Sequence, residues 1–451
     1  FAIAAVPADK ITSLPGWPAS KPLPTMYSGY LPVGKTSGAP GYIHYWLILK
    51  QTEPENAPVV YWTNGGPGGS GINAGLLTEM GRIHLSEDSM INNTIELLDN
   101  EFAWNNVANM LYVSQPKGVG FSYCTSSSCE NNDLTSAQDF YDFSINFFEA
   151  YPEYKANDFF LTAESYGGIY IPMFMDQIAQ RGGVPNLKGA AIGDGCWGGK
   201  VGMCNSDSGK NKQINTEFFQ GHGMYSQTLY AEIKLACGAF GDSDVLKPAC
   251  KSALDAMNSA IGQFDIYNIY DTCGSDGDDR MMTLDEYNKK LGARHVSVTD
   301  ETSTAAHPQL EQKQKQTGGV GGAVNDYACG TDAAVSAWLK QESVVEALHV
   351  KAGMGGMNYT WGPTNISGDL RPLYKSLISK YRLLIYSGDT DACIPYWGTE
   401  EWTRELGYSV KKDWRPWTAE HLDRPGAQRA GYAIDYDTPT NFSFVTVQGA
   451  G

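Results

Sequence analysis

The octapeptide Leu161-Thr162-Ala163-Glu164-Ser165-Tyr166-Gly167-Gly168 decides how this chain folds. The apolar, β-prone residues 158–162 predict a short buried strand, and residues 166–180 predict a helix. Ser165 would then lie on the sharp turn between them. This is the context of a nucleophile elbow, which exposes the serine hydroxyl and points the first helical amides into the same space. The pattern also fits a serine that merely caps a helix, because Ala163 stands where the elbow motif usually has glycine.

An acidic composition limits the kinds of partner. The 451 residues include 33 lysines and arginines and 50 aspartates and glutamates, which gives a formal net charge of −17. This balance disfavours nucleic acid and anionic membranes as partners. The sequence contains no run of about 18 apolar residues, so we expect no membrane span.

The cysteines and glycosylation sequons indicate an oxidising compartment. There are nine cysteines and no CxxC zinc pattern, which favours a disulfide framework over metal sites. Four Asn-x-Ser/Thr sequons predict glycosylation, at Asn92, Asn358, Asn365 and Asn441. We therefore expect a protein of the secretory pathway, located in a vacuole or lysosome or outside the cell.

The alternation of strands and helices predicts an α/β fold in three segments. Residues 1–40 read as an entering arm. Strands are predicted at 41–50, 58–63, 109–114, 187–193, 383–387 and 442–447, and helices at 134–150, 226–236, 245–261 and 343–350.

Between residues 198 and 329 the alternation stops and the sequence becomes polar, glycine-rich and cysteine-rich. We interpret 1–197 and 330–451 as two parts of one core with a mostly parallel sheet flanked by helices. Residues 198–329 would be an inserted, largely helical cap, in which 309–325 form an exposed loop.

A second candidate site follows the strand predicted at 383–387. In proteins with a serine elbow of this kind, an acidic residue and then a histidine follow the serine in chain order. The turn after this strand contains Asp389 and Asp391. Asp391, four residues before Pro395, has the spacing expected of the acid that orients the histidine, whereas Asp389 is better suited to fixing the loop. Taken alone, this turn is also an ordinary Asx-turn.

A third candidate is the glycine-rich loop Asn64-Gly65-Gly66-Pro67-Gly68-Gly69-Ser70-Gly71. A glycine loop after an early strand can offer a backbone N–H to a developing oxyanion. The amide of Tyr166, directly after the serine, would be the second donor. A phosphate-binding loop is the alternative, but the Gly-Lys-Ser/Thr ending that such loops use is missing.

Several ordered motifs together resemble the serine carboxypeptidase family, which has the α/β-hydrolase fold. The residues 64–71 resemble its NGGPGCSS loop, and 75–79 (GLLTE) the segment that follows. The other matches are 104–112 with WNxxANxLY, 116–123 with PxGVGFSY, 151–159 with FPEYxxNDF, 191–195 (AIGDG) with AIGNG, 347–350 with ALHV, and 444–451 (FVTVQGAG) with the last core strand and turn. The similarity covers nearly the whole chain except the insertion.

The resemblance implies a function and a role for each matching residue. It implies a hydrolase that removes C-terminal residues from peptides and proteins through an acyl-enzyme at acidic pH, without a metal or an organic cofactor. The implied roles are nucleophile for Ser165, triad acid for Asp391, oxyanion donors for Gly66 and Tyr166, and binding of the substrate's terminal carboxylate for Asn64, Gly65, Glu79 and Glu164.

Some positions depart from the family pattern. Gly69 replaces the cysteine of the loop, and Cys329 stands where the usual partner of that cysteine would be. The corresponding disulfide is therefore absent or rewired, with Cys124 as one candidate partner. One extra residue between Asn64 and Glu79 would shift the carboxylate site.

The position of the catalytic histidine departs furthest from the family pattern. The family places it directly after the turn that matches residues 449–451, where the present sequence ends. None of the seven histidines matches that motif: His44, His84, His222, His295, His307, His349 and His421. We therefore expect a C-terminal piece, continuous or separate, whose first residue is the histidine.

Two other functions stay open at this point. One is an acyltransferase that uses the same acyl-enzyme with an alcohol acceptor. Glu164 argues against it, because related plant acyltransferases tend to have aspartate there. The other is a non-catalytic member that binds or protects a partner. The expected partner is a peptide or protein with a free C-terminal carboxylate, and the oligomeric state is undecided, a homodimer included.

Overall fold

The structure is a computed structural model that describes most of the chain. The described residues are 6–91, 94–126, 128–205, 208–240, 246–270, 281–282, 331–351, 353–354, 358–362, 368–421 and 424–451. The predicted loop 309–325 lies outside them, as do Cys273 and Cys329.

The strands of the described residues include short pairs at the periphery and long strands in one large sheet. They are β1 (Met26–Val33), β2 (Gly41–Ile48), β3 (Val59–Thr63), β4 (Ile83–His84), β5 (Met90–Ile91), β6 (Thr94–Ile95), β7 (Leu98–Asp99), β8 (Asn109–Val113), β9 (Tyr123–Cys124), β10 (Cys129–Asn131), β11 (Phe159–Glu164), β12 (Leu187–Gly193), β13 (Phe264–Asp265), β14 (Met281–Met282), β15 (Tyr359–Trp361), β16 (Arg382–Gly388), β17 (Val410–His421), β18 (Arg424–Asp437) and β19 (Asn441–Val447).

The α-helices follow the same numbering along the chain. They are α1 (Asp133–Ala150), α2 (Gly167–Arg181), α3 (Gly209–Gly221), α4 (Gln227–Cys237), α5 (Pro248–Ile261), α6 (Thr331–Leu339), α7 (Glu342–Ala347), α8 (Arg371–Ile378) and α9 (Tyr396–Glu405). A π-helical segment, Ile72–Glu79, leads away from the glycine-rich loop. No helix among the described residues is both long and apolar enough to span a bilayer.

The large sheet has a parallel centre and antiparallel margins. Its strand order is β1-β2-β8-β3-β11-β12-β16-β19-β18-β17, and β9 pairs with β2 in addition. The neighbours from β8 to β19 run parallel, whereas the two strands at each end pair antiparallel. The predicted α/β class with a mostly parallel sheet is confirmed.

Buried aromatic side chains on both faces explain why the central strands are so apolar. Successive residues of a strand point to opposite faces. Tyr61 therefore packs against α1 and α2, while its neighbour Trp62 belongs to the other core. In the first core, Phe140 of α1 stacks on Phe174 of α2 with 4.2 Å between ring centroids. In the second, Trp338 of α6 lies parallel to a tryptophan of β2.

Helix α1 has the local signals of a strong helix. The side chain of Asn132 accepts from the Thr135 amide, and the Thr135 hydroxyl accepts from the Asn132 amide, which makes a capping box. Its phenylalanines at helical spacing are all buried, at Phe140, Phe143, Phe147 and Phe148.

At the two ends of the sheet, one prediction is wrong and one element was missed. The supposed entering arm of residues 1–40 contains β1, which pairs with β2 along its whole length. The long hairpin of β17 and β18 was not predicted at all. Its first strand has exposed charged residues and Pro416 inside it, so it lacks the alternation that identifies a half-buried strand.

The described part of residues 198–329 contains the helices α3, α4 and α5 and the short strands β13 and β14. That this segment is an inserted cap stays a prediction. Residues beyond α5 reach the core, because Ala392 N–H donates to Ile266 O and Ile269 N–H donates to Thr390 O, at 3.0 and 3.1 Å. The boundaries 198 and 329 stay a prediction.

The disulfides differ from one expectation. Cys124 pairs with Cys129, so the idea that Cys124 joins Cys329 is wrong. The other disulfides of the described residues are Cys196–Cys204 and Cys237–Cys250. The bridge between Cys124 and Cys129 is local, and sequence spacing alone does not distinguish it from a longer one.

The sequons fall in two groups. Asn358 and Asn441 are exposed, as attachment of a glycan requires. Asn92 and Asn365 lie outside the described residues. All four stay predicted glycosylation sites.

A buried ion pair fixes α1 to the loop before β2. Lys117 and Asp139 approach to 2.7 Å, and each side chain is 1% exposed. The Lys117 ammonium also donates to Ala39 O, and the Asp139 carboxylate accepts from the Ser37 hydroxyl. Removal of one partner would leave the other charge buried without compensation.

We predict that Lys117→Met lowers the free energy of unfolding by about 3–5 kcal/mol. The double variant Lys117→Met/Asp139→Leu should lose clearly less, because no buried charge is left over. Urea unfolding of the three proteins measures this. Equal losses in the single and double variants would contradict the explanation.

Candidate active site

The turn at Ser165 has the geometry of an elbow. Ser165 has a left-handed φ of 55°, which non-glycine residues rarely adopt and which is typical of functional turns. Its amide donates to Gly193 O at 3.0 Å, and its carbonyl accepts from Cys196 N–H at 2.9 Å. The N-cap of α2 is Tyr166, with no side-chain capping bond. Ser165 is partly exposed and does not act as a helix cap.

The alanine at position 163 is compatible with this turn. A Cβ added to Gly167 would overlap the Cβ of Ala163. The strand and the helix can therefore approach closely because position 167 is glycine, even though position 163 is alanine. The departure of Ala163 from the motif has no visible structural effect on the elbow.

The glycine-rich loop lies directly against the elbow. A Cβ on Gly65 would overlap Tyr166 N and would lie 2.7 Å from the Ser165 Cβ. Only glycine fits there, and the amides of the loop and of Tyr166 thus border one space. Tyr359 covers the loop from outside, since its hydroxyl donates to Pro67 O at 2.6 Å.

The side chain of Asn64 joins two carboxyls. Its amide nitrogen donates to Glu164 Oε1 at 2.6 Å and to Glu79 Oε1 at 3.0 Å. Its carbonyl oxygen accepts from Trp62 Nε1 and from the Gly75 amide, at 2.8 and 3.1 Å. These two donors fix which end of the amide faces the carboxyls. Three of the predicted carboxylate-binding residues therefore meet at one point.

The environment of the two glutamates favours their protonated forms. Burial raises the pKa of Glu79 well above its usual value, the nearby charge of Glu164 raises it further, and the Asn64 bond opposes both. Burial likewise raises the pKa of Glu164, against the same bond. Both side chains keep a small exposed fraction. The pair therefore holds a proton more readily than two exposed glutamates would.

Asp391 lies in the turn after β16, with both carboxylate oxygens in use. One accepts from Cys393 N–H and the other from Ile394 N–H, each at 2.9 Å. Asp391 is 2% exposed, and burial raises its pKa to about 7 against these two bonds, with further increases from Glu164 and Asp265. These amides hold the carboxyl in one orientation.

Asp389 connects the same turn to residues 447–450. Its carboxylate accepts from Gly449 N–H at 2.6 Å, and its own amide donates to Val447 O. The amide and the hydroxyl of Thr390 both donate to Ala450 O, at 2.9 and 2.7 Å. The geometry agrees with the interpretation of Asp389 as a residue that fixes the loop.

Two residues near the glutamates were not among the candidates. Asp194 follows β12 and accepts from Gly388 N–H at 3.0 Å. Tyr386, on β16, has its pKa raised by burial and by the charges of Glu164, Asp194 and Glu79. The signal for Asp194 was available, since aspartate stands where the AIGNG pattern has asparagine. Tyr386 lies in an apolar run, which gave it no signal.

Four of the histidines have described side chains. His44 is buried with Ser28 and Leu348 O near its ring, and burial lowers its pKa to about 4. The other three bond to backbone carbonyls: His84 to Glu79, His222 to Phe218 and His349 to Ser28. His295 and His307 lie outside the described residues, and His421 is the last residue of β17. That none of the seven is the base stays a prediction.

Known proteins share both the sequence pattern and the fold. A profile of the serine carboxypeptidase family matches residues 15–451. The serine carboxypeptidase-like 20 protein of Arabidopsis thaliana is 32% identical, over 98% of this chain and 88% of the relative. The lysosomal protective protein of Mus musculus is 31% identical, over 99% and 90%. The prohormone-processing carboxypeptidase Kex1 of Saccharomyces cerevisiae, at 18% identity, has the same fold with a TM-score of 0.66 over 99% of this chain and 92% of that one. From the extent of these matches, the chain belongs to the serine carboxypeptidase family.

Proposed function

We propose that this protein is a serine-type carboxypeptidase that removes C-terminal residues from peptides at acidic pH through an acyl-enzyme. The observation that carries the proposal is that the Asn64 amide donates hydrogen bonds to both Glu79 and Glu164, next to the Ser165 turn. Two carboxyls that retain a proton beside a nucleophile suit a substrate that itself ends in a carboxylate.

The glutamate pair accounts for recognition of the peptide terminus. At acidic pH a protonated carboxyl of the pair donates a hydrogen bond to the substrate carboxylate, and Asn64 and Gly65 complete the site. When the pair loses its proton, the like charges repel the substrate. Because burial raises the pKa of both glutamates, binding weakens only as the pH rises above their usual range.

The reaction then uses the elbow and the glycine-rich loop. Ser165 Oγ attacks the last peptide carbonyl and gives its proton to an imidazole, while the amides of Gly66 and Tyr166 bind the oxyanion. The C–N bond breaks, the imidazolium protonates the leaving amino group, and the C-terminal amino acid departs. Water attacks the acyl-enzyme in the reverse sense and frees Ser165. The positive charge of the imidazolium favours the ionised form of Asp391, which then keeps the imidazole oriented and stabilises its charge.

We propose that the imidazole belongs to the histidine that the family resemblance implies directly after the turn matched by residues 449–451. Thr390 and Asp389 bond to residues 449–450, so this turn lies beside the turn that carries Asp391. That position is within reach of the acid it would pair with. The proposal holds whether the histidine is on the same polypeptide or on a second piece.

The location is proposed from chemistry. Three disulfides in the described residues and a pair of carboxyls suited to low pH fit a vacuole, a lysosome or an acidic extracellular fluid.

Sedimentation of the full-length protein would distinguish a monomer from a homodimer.

The first prediction concerns pH. In Glu164→Gln, the dependence of KM for a peptide on pH should become flatter between pH 5 and pH 8 (roughly the range above the usual glutamate pKa), because one titrating group of the pair is gone. In the wild type KM should rise through this range. Steady-state kinetics at fixed ionic strength measures both, with the exposed Glu232→Gln as matched control. An unchanged KM profile in Glu164→Gln rules the recognition mechanism out.

The second prediction concerns the loop. Gly65→Ala should lower kcat/KM by roughly 10²–10³-fold, because the new methyl group separates the oxyanion donors. Gly221→Ala, where an added Cβ meets nothing within 4 Å, should not. The same kinetic assay applies, with thermal melting to confirm folding. A fully active Gly65→Ala enzyme would contradict the assignment.

The third prediction concerns the base. Polypeptide 1–451 alone should hydrolyse peptides at least about 10⁴-fold more slowly than the protein that continues with histidine and its native sequence, since a triad serine is a poor nucleophile without its base. Turnover numbers of the two proteins decide this. A transferase would instead show acyl transfer to an alcohol without peptide cleavage, and a non-catalytic protein would leave Ser165 unlabelled by a fluorophosphonate. Normal hydrolysis by 1–451 would make one of the seven histidines the base.

A further inference from the structure

Asp194 lies between the nucleophile turn and the turn of the triad acid. It directly follows Gly193, whose carbonyl accepts the Ser165 amide at 3.0 Å and which pairs in register with Glu164 on β11. Its own amide donates to Tyr386 O at 2.9 Å, and its carboxyl accepts from Gly388 N–H at 3.0 Å. The carboxyl ends of β11, β12 and β16 thus meet around this one side chain.

The backbone of Asp194 is held in an unusual conformation. Its φ is 41°, in the left-handed region that aspartate and asparagine tolerate better than most residues. Asparagine at this position, as in the AIGNG pattern, could keep the bond to Gly388, because its carbonyl oxygen is also an acceptor. The aspartate therefore adds nothing that the turn needs, but it adds a group that can bind a proton.

The groups that face Asp194 are mainly acidic. The charges of Glu164 on β11 and of Asp391 in the turn after β16 act on Asp194, and Asp194 acts in turn on the phenol of Tyr386, whose ring lies against Gly193. Burial, then the charges of Asp391 and Glu164, raise the pKa of Asp194 well above its usual value, against the Gly388 bond. Asp194 keeps a small exposed fraction, so protons can reach it.

We propose that Asp194 is a third proton-binding carboxyl of the substrate site, which takes up a proton when the carboxylate of a peptide binds beside Ser165. A new negative charge next to Glu79, Glu164 and Asp194 favours the protonated form of each of these carboxyls. Binding and proton uptake are linked, so every such carboxyl steepens the dependence of affinity on pH. Asp194 is a positioning residue here, because it acts through Glu164 and Asp391. The inference rests on the proposed carboxypeptidase function.

The test uses the full-length protein made inert by Ser165→Ala, with the blocked dipeptide N-benzyloxycarbonyl-phenylalanyl-leucine as ligand. Calorimetry in buffers of different ionisation enthalpy measures the number of protons taken up on binding. Adding Asp194→Asn should reduce this number and make log Kd vary less steeply with pH, with tighter binding than the parent at pH 8. Asp142→Asn, at a buried carboxylate that accepts the Gly34 and Thr36 amides elsewhere, should change neither.

The outcomes separate the inference from the function on which it rests. If Glu164→Gln lowers the proton uptake and Asp194→Asn does not, Asp194 has no such role and the proposed function stands. If neither variant lowers it, the proposed function fails as well. The amidated dipeptide should bind without proton uptake in every variant.

A second readout needs no ligand. A carboxyl with a raised pKa destabilises the folded state as the pH rises from the usual aspartate range through the raised value. Asp194→Asn should therefore raise the melting temperature relative to the parent at pH 7 and leave it unchanged at pH 3, below both pKa values. An equal change at both pH values would show a purely structural effect and overturn the inference.

Discussion

The site depends on one side-chain amide that holds two like-charged groups together. Two carboxylates at this separation repel each other unless a proton or a donor lies between them. Asn64 supplies the donor, and the bonds from Trp62 and Gly75 to its carbonyl oxygen prevent the amide from turning over. A flipped amide would present an acceptor to both acids. Gly75 belongs to the π-helical segment and Trp62 to the second core. Both parts of the fold therefore help to orient the Asn64 amide at the site.

The acids of this site form a connected set. Glu79 and Glu164 share Asn64, Glu164 raises the pKa of Asp391, and Asp391 raises that of Asp194. Such groups titrate together, so protons are lost in steps that belong to the set and not to one residue. The overall charge of −17 acts in the same direction, since acidic surroundings favour protonation. The close packing of these carboxyls is the physical basis of the proposed preference for low pH.

The sequence predicted the parts of the site that are encoded locally. The elbow, the glycine-rich loop and the turn of Asp391 each have short patterns with a steric reason, such as the lack of room for a Cβ at Gly65. The strand at 187–193 was predicted with its observed ends. That Asn64, Glu79 and Glu164 share one site was expected only from the family resemblance, because no local pattern encodes a network between residues about 100 positions apart. The strand β1 and the hairpin were missed because their residues do not alternate in polarity.

The unpredicted hairpin has a consequence for how the molecules behave in concentrated solution. β17 forms one margin of the large sheet, where unpaired backbone groups could add a strand from another molecule and start aggregation. Lys411 and Lys412 are exposed on it, Pro416 removes a donor, and the register with β18 shifts at four places. Each of these disfavours a flat, continuous edge. At the other margin, residues 10–11 and His349 contact β1 and cover its carbonyls. An open sheet of this size is thereby kept from growing by edge-to-edge association between copies.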